Sequence, residues 1–269
     1  MENKVERFPI LRLTREGKDN IEDMVARELP VTIILNDQEL VTLLCSPTDL
    51  EYLAVGFLYS EGLLNSKEEI KKVLVDSERG VVRLETVDGK ELAQDVLFKR
   101  VISTGCGRGA SFYSAADAAS QKVESRMEIS TDEVFALVNE FQHGSHLYLT
   151  THGVHGAALC DRKSILVFGE DIGRHNAVDK IFGKCLLEDI PTDNRLLITS
   201  GRTTSEILHK IAKRGIPIII SITAPTNLGV RIADSLGITL VASVRGRKMN
   251  VYTGEWRIIH DEGQERRAS

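Results

Sequence analysis

No run in this sequence approaches the roughly 20 apolar residues that cross a bilayer. Its first residues, MENKVERFPILRL, also lack the uninterrupted apolar centre of a secretion signal. A cytoplasmic protein away from membranes is therefore expected. Excess positive charge is missing as well, because 34 Lys and Arg against 39 Asp and Glu leave a formal net charge of -5. That balance argues against sequence-blind nucleic-acid binding, which needs a basic surface to displace counterions. The four cysteines, Cys45, Cys106, Cys160 and Cys185, form neither a C-x-x-C pair nor a disulfide ladder. In the cytoplasm they are expected as thiols. Internal repeats and low-complexity tracts are also absent. What is present, 42% hydrophobic residues in a chain of 269, fills a normal core in one large or two modest domains.

The first part reads as a small α+β unit. VTIILNDQELVTLLC, residues 31–45, is two β-rich runs around an Asn36-Asp37 turn, which predicts a hairpin. SPTDLEYLAVGFLYSEG predicts a helix with Ser46 as cap, Pro47 in the first position and Gly62 at the end. Further strands are expected over 81–86 and 96–103. Residues 105–124 are dominated by glycine, serine and alanine, and read as an exposed connection with a short helix from Ser114.

From Ser130 the pattern is regular. Ser130 and Glu133 make a capping box before a stripe of Val134, Leu137, Val138 and Phe141. Strands over 147–151 and 165–168 follow, the second entering a helix near Asp171. LLITS, PIIISI and ITLVASV then alternate with two helices, one capped by Thr203 and Glu206 before Gly215, the other running from Thr226 to Gly237. Continuous apolar strands alternating with amphipathic helices predict an α/β architecture, here a three-layer α/β/α domain.

Ligands of such sheets sit at the carboxyl ends of strands, where three polar segments fall. In GEDIGRHNAVDK, the side chains of Asp171, Arg174 and His175 gather within one helical turn, with Asp179 continuing their face. As single residues they read equally as an N-cap aspartate and its solvated neighbours. In TSGRTTSE, Thr203 and Thr204 stand at a helix N-terminus, which favours anions, and Arg202 is not explained by capping. Arg245, Arg247 and Lys248 surround Gly246 and suit a phosphate clamp, against the plain alternative of a solvated charge run. His152 and His155, placed on one strand, would face opposite ways and share no metal; His155 either lines the site or is a bonded core histidine. Cys45, Cys160 and Cys185 read as small core residues. Cys106 differs. In ISTGCGRGASF its glycines free backbone N-H groups to turn toward sulfur, and Arg108 adds positive charge; both favour the nucleophilic thiolate.

Taken together, EDIGRHNAVDKIFG, SGRTTSEILHKIAKRGIPIIIS, ITAPTNLGVRIADSLGITLV and RGRKMNVYTG closely resemble the FdhD family of sulfurtransferase accessory proteins for formate dehydrogenase. LVTLLCSPTDLEYLAVGFLYSEG and the Cys106 loop extend the likeness over nearly the whole chain. The resemblance implies that a cysteine desulfurase loads sulfur on Cys106 as a persulfide. It further implies transfer to the molybdenum or tungsten bis-molybdopterin guanine dinucleotide cofactor of formate dehydrogenase, with no structural metal. The family's C-G-x-C-G loop appears here as Cys106-Gly107-Arg108-Gly109-Ala110, so Gly109 stands where a second thiol would be. The family's cofactor segment maps to Ser243, Val244, Arg245, Gly246, Arg247 and Lys248, with Arg202, Thr203, Asp171, Arg174 and His175 expected nearby. A homodimer is implied too. So is a cytidine deaminase-like fold for residues 125–269, beside an N-terminal domain of residues 1–104 and a Cys106 loop of residues 105–124. A zinc deaminase is excluded because RHNAVDK and SGRTTSE lack the required ligands and cysteine pair. The alternatives are a cofactor-binding chaperone that transfers no sulfur, and a Cys-His hydrolase using His155 or His175 with Cys106.

Overall fold

The computed structural model describes residues 4–89, 101–102, 110–111 and 122–260. Cys106, the neighbouring glycines and the helix expected from Ser114 lie outside the described residues.

The chain opens with a ribbon that the sequence reading did not anticipate: β1 (Val5–Leu13) pairs antiparallel with β2 (Lys18–Ala26) and joins no other sheet. The expected hairpin follows as β3 (Leu29–Leu35) and β4 (Gln38–Cys45). Asn36 and Asp37 both take positive φ, 49° and 63°, the conformation that matches a two-residue turn to strand twist. With β5 (Ile70–Asp76) and β6 (Val81–Thr86) these strands make a sheet of order β4-β3-β6-β5. Helix α1 (Leu50–Glu61) covers one face, burying Leu53, Ala54, Phe57 and Leu58 against Val31, Ile33, Val82 and Leu84. Its start differs from expectation. The helix begins after Asp49, itself at φ 55°, and Ser46 points elsewhere; Gly62 ends it at φ 79°, as expected.

Short strands β7 (Val101–Ile102) and β8 (Ala110–Ser111) pair with each other. β9 (Ile129–Ser130) then leads into α2 (Thr131–Gly144). Here the capping box is present: the Glu133 N-H donates to Ser130 Oγ at 3.2 Å, and the Ser130 N-H donates to Glu133 Oε2 at 2.8 Å. The strand expected over 147–151 is instead a helix, α3 (His146–Thr151). Its Tyr and Thr residues favour strands intrinsically while its two leucines suit a helix, and here the helix buries Leu147 and leaves Tyr148 and Leu149 outside. His152 ends that helix at φ 52°, so it does not share a strand with His155.

The main sheet has six strands in the order β11-β10-β12-β13-β14-β15. These are β10 (His155–Cys160), β11 (Ile165–Asp171), β12 (Leu196–Thr199), β13 (Ile218–Ser221), β14 (Thr239–Arg245) and β15 (Lys248–Thr253). The central trio β12-β13-β14 is parallel and the flanking pairs are antiparallel. α4 (Arg174–Leu187), α5 (Ser205–Ala212) and α6 (Asn227–Ser235) pack Val178, Ile181, Leu208, Ile211 and Ala233 on one face. α2 packs Val134, Leu137, Val138 and Phe141 on the other. β16 (Ile258–Ile259) closes against β9. Among the described residues this is a mixed α/β fold with six helices, none long and apolar enough to cross a membrane.

The two units meet where α1 crosses α4 at unusually close range. A Cβ on Gly56 would collide with the Asp179 carbonyl, and one on Gly183 would collide with the Tyr52 carbonyl. Only glycine at both crossing points lets the backbones touch.

Candidate functional site

The site is assembled at the carboxyl ends of β12, β13 and β14 by hydroxyls that sequence reasoning passed over. Ser200 Oγ lies 3.2 Å from His155 Nδ1 and accepts the Gly156 N-H at 3.0 Å. Thr223 Oγ1 donates to the Ser200 carbonyl at 3.3 Å, Ser221 Oγ donates to the Gly201 carbonyl, and the Thr226 N-H donates to the Thr203 carbonyl. The Ser243 N-H donates to the Thr223 carbonyl at 3.0 Å. Ser243 sits at φ 57°, inside a register shift between Ala242 and Arg245. Three strand ends are thus stitched together, and the predicted Ser243 joins the loop that carries Arg202 and Thr203. The signal available in the sequence was the hydroxyl closing each apolar run, in LLITS and PIIIS.

Arg174 enters from α4. Its side-chain stem lies across Gly201, where a Cβ would meet Arg174 Cβ at 2.7 Å. His175 Nε2 stands 3.3 Å from Glu206 Oε2 without hydrogen-bond geometry. The expected Thr203-Glu206 cap does not form: Thr204 is the N-cap residue of α5 and its side chain makes no capping bond. The buried Thr203 and Thr204 hydroxyls have no hydrogen-bond partner among the described residues. Two buried, unsatisfied hydroxyls thus stand at this helix N-terminus, where the free N-H groups favour an anion.

Asp171 is placed differently from expectation. Gly173, not Asp171, precedes α4 as its cap. The Asp171 carboxylate is fully buried and pairs with Lys180 at 2.7 Å. It also accepts the N-H groups of Ser46 and Gly173 and the amide of Asn176. It fixes the turn before Arg174 and presents no free oxygen to a ligand. Asp179, expected on a polar face, is buried too, accepting from Ser60 Oγ at 2.6 Å and lying 2.7 Å from Lys210, which also faces Glu61 at 3.6 Å. Burial pushes the Asp179 carboxyl up to about 6. Burial works against the Lys210 ammonium as well, but Asp179 and Glu61 outweigh it and hold Lys210 charged.

Arg245, Gly246 and Arg247 lie at the exposed β14–β15 turn, with Lys248 opposite Arg245. Val244 is a core residue under α2, so its side chain does not face a ligand. Cys45, Cys160 and Cys185 are free and buried. Burial pushes Cys45 and Cys185 up to about 12, and raises Cys160 as well. Among the described residues no cluster of three metal-ligating side chains occurs.

The histidines have a measurable consequence. Burial, with Lys210, Arg174 and His155 nearby, holds His175 well below its ordinary value of about 6.5, and burial with Arg174 lowers His155. Below about pH 6.5 the unfolded chain therefore binds protons that the folded chain refuses, and stability falls as pH drops. Asp179, held above its ordinary value, contributes the opposite slope below pH 6. Comparing each variant with wild type separates them. His175→Gln is expected to lose less stability than wild type between about pH 7.5 and about pH 5.5 in urea melts. Parallel losses in the two proteins would refute a neutral buried His175.

Sequence comparison connects this arrangement to known proteins. The FdhD/NarQ family matches residues 26–259. The chain belongs to that family. FdhD/NarQ relatives include the sulfur carrier protein FdhD of Bacillus pumilus, 42% identical over 96% of this chain and 99% of that one. The Bacillus subtilis sulfur carrier protein FdhD is 43% identical over 88% and 91%. Among solved structures, a Desulfotalea psychrophila protein proposed to be a formate dehydrogenase accessory protein superposes with a TM-score of 0.79. It is 30% identical, and the match covers 95% of this chain and 99% of that chain.

Proposed function

We propose that this FdhD/NarQ chain is a sulfur carrier acting as a sulfurtransferase in formate dehydrogenase maturation. The observation that carries the reading is the state of its thiols. Cys45, Cys160 and Cys185 are buried, and burial opposes thiolate at each, which supports Cys106 as the working sulfur. Cys106 thiolate attacks the outer sulfur of a persulfide on a cysteine desulfurase. The donor's S-S bond breaks as a new one forms on Cys106, and the donor cysteine leaves as thiolate, so the exchange needs no added oxidant.

The substrate at the other end is the bis-molybdopterin guanine dinucleotide cofactor, carrying molybdenum or tungsten, bound for formate dehydrogenase. Its phosphates call for cations and free donors. Arg245, Arg247 and Lys248 at the exposed turn and the unpartnered Thr203 and Thr204 hydroxyls are of that kind. Arg202, Arg174, His175, Ser243 and the Gly246 backbone complete the proposed site. Asp171 and Val244 serve it from behind, as supports. In this reading residues 1–104 are the small domain, 105–124 the Cys106 loop and 125–269 a cytidine deaminase-like cofactor domain, in a cytoplasmic homodimer.

Incubation with a cysteine desulfurase and cysteine is expected to add one sulfur, which peptide mass spectrometry places on residue 106. Cys106→Ala is expected to keep cofactor binding and to lose activation of formate dehydrogenase. An adduct mapping elsewhere, or normal activation by Cys106→Ala, would replace this reading with that of a binding chaperone.

A further inference from the structure

Glu206 carries a charge of the wrong sign for the proposed site. It lies in the first turn of α5, and a carboxylate there repels the anion that the N-H groups of the helix N-terminus attract. Its Oε2 lies 3.3 Å from His175 Nε2, a ring nitrogen with no hydrogen-bond partner among the described residues. The His175 and Glu206 side chains are only 21% and 17% exposed, so charges on them are weakly screened. Just before the same helix, the fully buried Thr203 hydroxyl is unpartnered too. Burial, then Lys210 on α5, Arg174 on α4 and His155 on β10, hold His175 well below its ordinary value. Burial raises Glu206, with Glu61 of α1 assisting and Lys210 and Arg174 opposing. Asp179, one turn along α4 from His175, is engaged by Lys210. With the imidazole neutral beside a carboxylate, the unliganded pair has room for one proton.

We infer that His175 and Glu206 together take up one proton when a phosphate group binds at the α5 N-terminus, with Glu206 as the positioning residue that holds the protonated ring. The inference rests on the phosphate-binding reading above and adds the proton that such binding requires. The proton comes from solvent. An arriving phosphate offsets the charges of Arg174 and Lys210 that keep the ring neutral, so His175 becomes an imidazolium; Glu206, now paired with it, ceases to repel the ligand. Binding that takes up a proton strengthens as pH falls, and it does so only while the pair can hold that proton.

The test is calorimetric titration of the full chain with GDP, which carries the guanine nucleotide part of the proposed substrate, in buffers of different ionisation heat between about pH 8 and about pH 6. The probe's own phosphate titration is common to every variant and cancels when they are compared. Wild type is expected to take up about one proton more per GDP than Glu206→Gln, whose amide is neutral throughout. Glu206→Gln is expected to bind GDP on the order of 10-fold more tightly than wild type at about pH 8, because the repelling charge is gone, and to lose the pH slope. His175→Gln keeps the carboxylate, and is expected to match wild type at about pH 8 and to fall on the order of 10-fold behind it at about pH 6. One substitution gains at one end of the range and the other loses at the opposite end, a pattern that lost packing does not produce. Equal proton uptake by wild type and Glu206→Gln, or both variants weakened alike at both pH values, overturns the inference while the phosphate site stands. A wild type that binds no GDP at any pH overturns both.

Discussion

Gly183→Ala is expected to cost about 3 kcal/mol or more of folding stability, the signature of a forced methyl in a packed interface. The new Cβ would overlap the Tyr52 carbonyl and sit 2.8 Å from the Gly56 nitrogen, and neither can move without shifting α1 bodily. Flexible side chains yield to overpacking, but helix backbones do not. Gly144→Ala is the control, because its Cβ would meet nothing and it lies at the end of α2. That change should leave stability within about 1 kcal/mol. Chemical denaturation midpoints compare the two, and equal midpoints would mean that α1 and α4 are not seated this closely.

Lys180→Met should be nearly as damaging, costing about 3–5 kcal/mol, because it strands the fully buried Asp171 carboxylate without its cation. Hydrogen bonds from Ser46, Gly173 and Asn176 remain, yet three neutral donors do not replace an ammonium at 2.7 Å. Asp171→Asn in the same chain removes the stranded charge, so the double variant should recover much of the loss. Denaturation of both variants decides the matter. If the double variant is no more stable than the single, the damage comes from lost packing of the lysine stem rather than from electrostatics.

These two sites show where the sequence was legible and where it was not. The Asn36-Asp37 hairpin, the Ser130-Glu133 capping box and the apolar strands β12, β13 and β14 are written in local spacing, and local spacing produced them. The fate of Asp171 was hidden because its decisive contacts come from Ser46, 125 residues away, and from Lys180 acting through the fold. Ser46 was misread for the same reason: its hydroxyl accepts the Ile172 N-H instead of capping α1. The ribbon escaped because apolar and charged residues alternate imperfectly on both of its faces, leaving no single-face period to detect. In the proposed site, the cation turn and Thr203 could be read from residue type, whereas Ser200, Thr223 and Glu206 take their place only once three strand ends are brought together.

The close seating of α1 on α4 also limits how the molecule can deform. With carbonyls against glycines and two buried ion pairs beside them, sliding one unit over the other would open a dry seam and separate opposite charges at once. Jaw-like closure of one unit on the other is thereby barred. The exposed β14–β15 turn lies outside that seam, so a change in its shape would leave the contact of α1 with α4 untouched.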